Sequence, residues 1–136
     1  MKITNFEQLE CWQEARKLNQ HIYKLSGGNH FKRDFTLMDQ IRRASISIMA
    51  NIAEGFDRGS NKELIRFLYI AMASASEVKS HLYVALDQGY INKEVFDETY
   101  RQATKIGKLI NAFISYLRSC EKSGRINAQP ANRQTD

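Results

Sequence analysis

Along this chain apolar residues return every three or four positions, the period of one face of an α-helix, and strand-like alternation is nowhere sustained. The two middle segments carry the clearest stripes: Met38, Ile41, Ser45, Ile48 and Ile52, then Leu64, Leu68, Ala71, Ala75, Val78, Leu82 and Ala85. Phe96, Tyr100, Ala103, Ile106, Ile110, Phe113 and Leu117 repeat the pattern in a fourth segment, and Phe6, Leu9, Trp12, Ala15, Leu18, Ile22 and Leu25 do so more loosely in the first. Stripes of this width have to be buried against other helices.

Boundary residues agree with the stripes. Thr4 with Glu7, and Ser60 with Glu63, have the spacing of a capping box, and Asp34 and Asn92 are candidate N-caps. Gly27-Gly28, Gly55 or Gly59, and Gly89 stand where chains commonly leave a helix through a left-handed residue. The spacing predicts helices near 6–26, 35–55, 61–88 and 93–119. Three short connections make consecutive helices antiparallel neighbours. The expected fold is therefore all-α, an antiparallel up-down-up-down four-helix bundle over residues 1–119. A polar tail over 120–136 has little to bury and is expected to be disordered or ordered only by a partner.

Phe56, Ile65, Tyr69, Ile70, Met72, Tyr83 and Ile91 lie off or beside the stripes, more apolar surface than one such core requires. Either another subunit covers some of them or the monomer has a broad core with a few exposed hydrophobes. The small-residue run Ala71-Met72-Ala73-Ser74-Ala75-Ser76 lets another helix come close on more than one face.

Composition narrows the class. With 43% hydrophobic residues, 26% charged and one proline, the chain is globular and long helices are permitted. No signal-peptide core and no apolar run long enough to span a membrane is present, so a cytoplasmic protein without membrane contact is expected. Cys11 and Cys120 have no metal-ligand spacing and read as free thiols.

Enzyme chemistry finds no foothold in the pattern. A di-metal bundle needs Glu-x-x-His pairs on two helices, whereas Glu77 and His81 are four apart and have no matching pair. Serines fall inside helices or at caps, and no glycine-rich phosphate loop follows a strand. No catalytic residue, metal or cofactor is expected.

The net charge of +5 favours polyanions or acidic partners without deciding between them. The helix dipole accounts for acids early and bases late in the first and fourth segments. It does not account for Lys62 and Arg66 in the first turns of the third, beside Arg58. These three, with free amides at a helix start, make a candidate receptor for phosphate, although Glu63, Asp57 and Glu54 can instead neutralise them within the monomer. Arg42 and Arg43, early in the second segment, are the other departure; they can meet phosphate or form a salt bridge, for example with Asp39.

The stretch from Asp39 to Gly59, with Asn51-Ile-Ala-Glu-Gly55 ahead of Arg58 as its most specific part, resembles the hallmark segment of the four-helix-bundle proteins encoded in intervening sequences of bacterial 23S ribosomal RNA genes. The likeness begins at Phe6-Glu-Gln-Leu-Glu-Cys-Trp12, continues through Phe67 to Glu77 and covers about residues 5–118. Met49 departs from it, since the family often carries proline there. The resemblance implies bundles assembled into rings, typically homopentamers, that act on RNA or DNA without catalysis. A related branch supplies the accessory protein of diversity-generating retroelements, which binds a reverse transcriptase. The motif falls on Gln40, Arg42, Arg43, Ser47, Asn51, Glu54, Gly55, Arg58 and Glu77. Of these, Asn51 and Glu54 are expected to share a polar network with Arg58 or a neighbouring helix, and Gly55 to free the backbone to turn. The leading expectation is a nucleic-acid-binding homo-oligomer using Arg42, Arg43, Arg58, Lys62 and Arg66; the competing one is an adaptor for a reverse transcriptase.

Overall fold

Helix starts in this chain are set by side chains that take up the first free amides. The computed structural model describes residues 2–122, and within them four long helices and no strand form. They are α1 (Glu10–Ser26), α2 (Phe35–Asp57), α3 (Asn61–Asp87) and α4 (Lys93–Lys122). Asp34 caps α2 by accepting from the Leu37 amide at 3.0 Å, Ser60 caps α3 from Glu63 at 3.2 Å, and Asn92 caps α4 from Val95 at 2.8 Å. The remaining cap is displaced by one residue. Instead of Thr4 and Glu7, Asn5 and Gln8 form the box, closing a short 3-10 turn over Phe6–Gln8 before Leu9 breaks to extended backbone and α1 begins.

Exits differ from expectation in an informative way. Gly59 and Gly89 have φ of 94° and 77° and turn the chain through the left-handed region. Gly27 leaves α1 at φ −86°, which any residue adopts, so the handedness expected there is not used. Gly55 ends nothing. It is buried inside α2, where a Cβ would come to 2.6 Å from the Cβ of Phe67 and 3.2 Å from Leu64 Cδ1. Its missing side chain lets α2 and α3 touch.

The core runs the length of the four helices, with Leu18, Ile22, Ile41, Ile48, Ile52, Leu64, Leu68, Leu82, Ile106 and Ile110 fully enclosed. Phe56 and Ile91, expected at the margins, belong to this core, whereas Tyr69, Ile70 and Tyr83 remain exposed. Most of the polar residues admitted inside are bonded across helices. Asn19 Nδ2 donates to Ser45 Oγ at 2.7 Å, joining α1 to α2, and Ser74 Oγ donates to Ser47 Oγ at 2.8 Å, joining α3 to α2. His21 Nε2 lies 2.9 Å from Thr99 Oγ1, joining α1 to α4. Because the Thr99 hydroxyl gives its proton to the Val95 carbonyl, His21 must be the donor, which fixes its tautomer. Asp34 also ties the ends together: its second oxygen accepts from the Tyr90 hydroxyl at 3.0 Å, which holds the phenol pKa up.

Met49 sits within the unbroken helix α2. The tail expected from residue 120 starts later than that, since α4 continues through Lys122; its remainder, 123–136, lies outside the described residues. Among the described residues no helix is long and apolar enough to cross a membrane.

Candidate nucleic-acid interface

Arg42, expected as a phosphate ligand, is half-buried. It reaches back to the end of α1, where Nε donates to the Ser26 hydroxyl at 2.7 Å and the guanidinium lies 4.3 Å from the centre of the Tyr23 ring. Nη2 approaches the Tyr23 carbonyl at 3.4 Å. A cation here satisfies the negative end of α1, the placement the helix dipole favours. Sequence spacing could not reveal this, because the partner residues lie on another helix. Arg43 points outward and pairs with Asp39 at 2.8 Å.

The second cluster surrounds Phe67. Arg58 and Arg66 place their guanidinium carbons 5.0 Å and 4.5 Å from the centre of that ring, one from the loop and one from the first turns of α3. Arg58 pairs with Glu54 at 2.9 Å and Arg66 with Glu63 at 3.1 Å. The Arg66 hydrogen bond is the main cause that lowers the Glu63 pKa, and the same bond raises that of Arg66. Lys62 is exposed and makes no ion pair among the described residues.

The remaining motif residues divide. Asn51 Nδ2 donates to the Ser47 carbonyl at 2.8 Å and to Ser47 Oγ at 3.0 Å, joining the Ser47–Ser74 bridge beneath α3. Glu54 belongs to the Arg58 pair instead, so the expected single network of Asn51 with Glu54 is two separate ones. Glu77 lies 3.4 Å from His81 Nε2. Gln40 is exposed on α2. Among the described residues no group of three His, Cys, Asp or Glu is placed to hold a metal ion.

One surface escaped the sequence reading. Glu14 on α1 is half-buried between two ammonium groups, Lys17 of its own helix at 3.2 Å and Lys105 of α4 at 3.5 Å. A groove of about 530 Å³ runs along the outer face of α1, where Glu7, Trp12, Gln13, Arg16, Lys17 and Gln20 line it. The dipole explains those bases one helix at a time, and the seam exists only once α1 and α4 meet.

The family described as 23S rRNA-intervening sequence protein matches residues 7–112. The chain belongs to that family. A crystal structure from Bacteroides thetaiotaomicron, of a protein with unknown function from the S23 ribosomal protein family, aligns with a TM-score of 0.70 at 27% identity. The alignment covers 76% of this chain and 97% of that one. No curated protein matches the chain in sequence. Within this intervening-sequence protein, the motif residues Arg42, Ser47, Asn51 and Gly55 carry packing between helices, and Arg43 and Arg58 remain on the surface.

Proposed function

We propose that this protein is a non-enzymatic, homo-oligomeric four-helix bundle that binds RNA or DNA through its phosphates. The cross-helix pairs support an antiparallel up-down-up-down order, because residue numbers rise along one helix as they fall along its neighbour. Asn19–Ser45 and Ser26–Arg42 run this way between α1 and α2, and Glu14–Lys105 and His21–Thr99 between α1 and α4. Support for a ring comes from two unlike exposed surfaces. Ile70 and Val84 are exposed on one face of α3, and Tyr23 and Ile46 border a 560 Å³ groove between α1 and α2. Contact between unlike surfaces is head-to-tail, the kind that makes a ring when its rotation closes. A pentamer is the ring size the family resemblance implies.

One observation supports binding: Lys62 makes no ion pair among the described residues and stands between Arg58 and Arg66, whose carboxylate partners are at the surface. Exposed ion pairs of this kind contribute about 0–1 kcal/mol, so a phosphate can take the place of either carboxylate at little cost. Arg43 with Asp39 offers the same exchange. The test is fluorescence anisotropy with labelled RNA across a salt series. Affinity is expected to fall steeply as salt rises, and Lys62→Glu with Arg66→Glu to flatten that slope. Absence of binding at about 50 mM salt, or binding indifferent to salt, overturns the reading. Light scattering tests the ring: a monomer at micromolar concentration removes it, and Ile70→Glu is expected to dissociate it.

A further inference from the structure

We infer that a single strand of nucleic acid runs from the seam between α1 and α4 across the outer face of α1, with phosphates on Lys17, Arg101, Lys105 and Lys108 and one unpaired base against Trp12. This rests on the nucleic-acid reading above and moves its principal surface to another face of the bundle.

Charge makes the first argument. From Asp39 to Glu77 the chain carries five cations and five carboxylates, and three of those cations are already paired along their own helix. The stretches 10–24 and 98–108 carry Arg16, Lys17, Lys24, Arg101, Lys105 and Lys108 against only Glu10, Glu14 and Glu98. Glu14 serves two lysines at once, and Arg16, Lys24, Arg101 and Lys108 are exposed with no ion pair among the described residues. Arg101, Lys105 and Lys108 follow one another by four and three residues on one face of α4, a row about 10 Å long beside the Lys17 edge of α1.

Shape and chemistry make the second. The groove on the outer face of α1 shares Lys17 with the seam and has an indole half-exposed at its far wall, the Arg16 guanidinium 5.9 Å from the indole centre, the amides of Gln13 and Gln20, and one carboxylate, Glu7. Phe6 holds the indole from the side, with ring centres 5.2 Å apart. An aromatic surface, a guanidinium and amides that both donate and accept are what an unstacked base needs, and a duplex does not offer its base faces. None of the exposed large apolar side chains lies within 13–20 or 101–108, so the seam lacks the hydrophobic patch expected of a subunit contact.

Trp12 is the only tryptophan, which makes the test direct. The full chain is titrated with an unstructured mixed-sequence RNA of about 30 nucleotides, the matching DNA strand, and a blunt DNA duplex, reading anisotropy and intrinsic fluorescence together. Both single strands are expected to quench Trp12, and the duplex to leave it unchanged. Arg101→Glu with Lys105→Glu and Lys108→Glu is expected to weaken single-strand binding at least about 100-fold and to reduce the salt slope by about 2. Circular dichroism confirms that this variant is folded, and Lys108→Gln alone, with an expected loss of several-fold, serves if it is not. Unchanged affinity in these variants, or unquenched Trp12 at saturating RNA, overturns the seam while leaving the broader reading in place if Lys62→Glu with Arg66→Glu abolishes binding. A change in the light-scattering mass of the triple variant also overturns it, by showing a subunit contact there. Wild-type protein that binds no probe at low salt overturns both.

Discussion

The two sides of this bundle are built by opposite means. Between α2 and α3 the backbones come together over Gly55 and the Ser47–Ser74 bridge, leaving no room for charge, and three of the five cations there, Arg43, Arg58 and Arg66, pair with carboxylates of their own helix or loop. Between α1 and α4 a half-buried carboxylate bridges the helices, and more cations gather around it than it can neutralise. Close packing thus makes one side electrostatically quiet, and a polar seam leaves the other charged. Family resemblance in the chain draws attention to the first side, whereas most of its unspent charge lies on the second.

The hardest blow to this contrast is Gly55→Val. Its added methyls must displace Phe67 Cβ, an atom that cannot move without its backbone, so α2 and α3 separate. Overpacking of this kind costs about 3 kcal/mol, which outweighs any gain in helix propensity. Thermal melting should fall by about 12 °C, and a variant melting like the wild type would mean that the helices are not in contact there.

Arg42→Ala comes next. It removes charged hydrogen bonds at the end of α1, a loss of about 2 kcal/mol. Stability measured by urea unfolding should drop, while RNA affinity of the folded fraction stays within about twofold of wild type if Arg42 is structural. A variant of normal stability that has lost RNA binding would return Arg42 to the phosphate ligands.

Much of this was legible beforehand, and what was missed shares one cause. The stripes through Ile48, Ala75 and Ile110 face the core, and the helix bounds differ by a few residues, because periodicity and capping are local properties. Gly55 read as a turn and Phe56 as surplus surface, and the contacts of Arg42 with Ser26 and Tyr23 went unforeseen, because each is decided by a residue on another helix. The seam was hidden for the same reason: the dipole accounts for Lys17 and Lys105 separately, and Glu14 between them appears only in three dimensions.

The underside of the charged region should prove dry. Cys11 is buried there, and burial pushes its thiol pKa from 9.0 up to about 12. Since the folded chain holds this proton more tightly than the unfolded one, its contribution to stability is intact below pH 9.0 and is lost as pH rises toward about 12. The slope is about 1.4 kcal/mol per pH unit. Denaturation of wild type and Cys11→Ala across that range isolates it: the steeper alkaline decline should vanish in the variant, and parallel curves would place the thiol in water.

The smallest effect has the opposite sign. Gly107 lies in α4 between buried Ile106 and exposed Lys108, and a Cβ added there meets nothing within 4 Å. Gly107→Ala therefore keeps the entropic gain that Gly55 must forgo, and stability should rise by about 0.5–1 kcal/mol. Calorimetry should show Tm higher by about 3 °C, with RNA affinity unchanged, because one methyl group neither removes a cation nor fills the Trp12 groove. A fall in stability would mean that the space beside Gly107 is occupied in solution, and a second copy of the chain would be its simplest occupant.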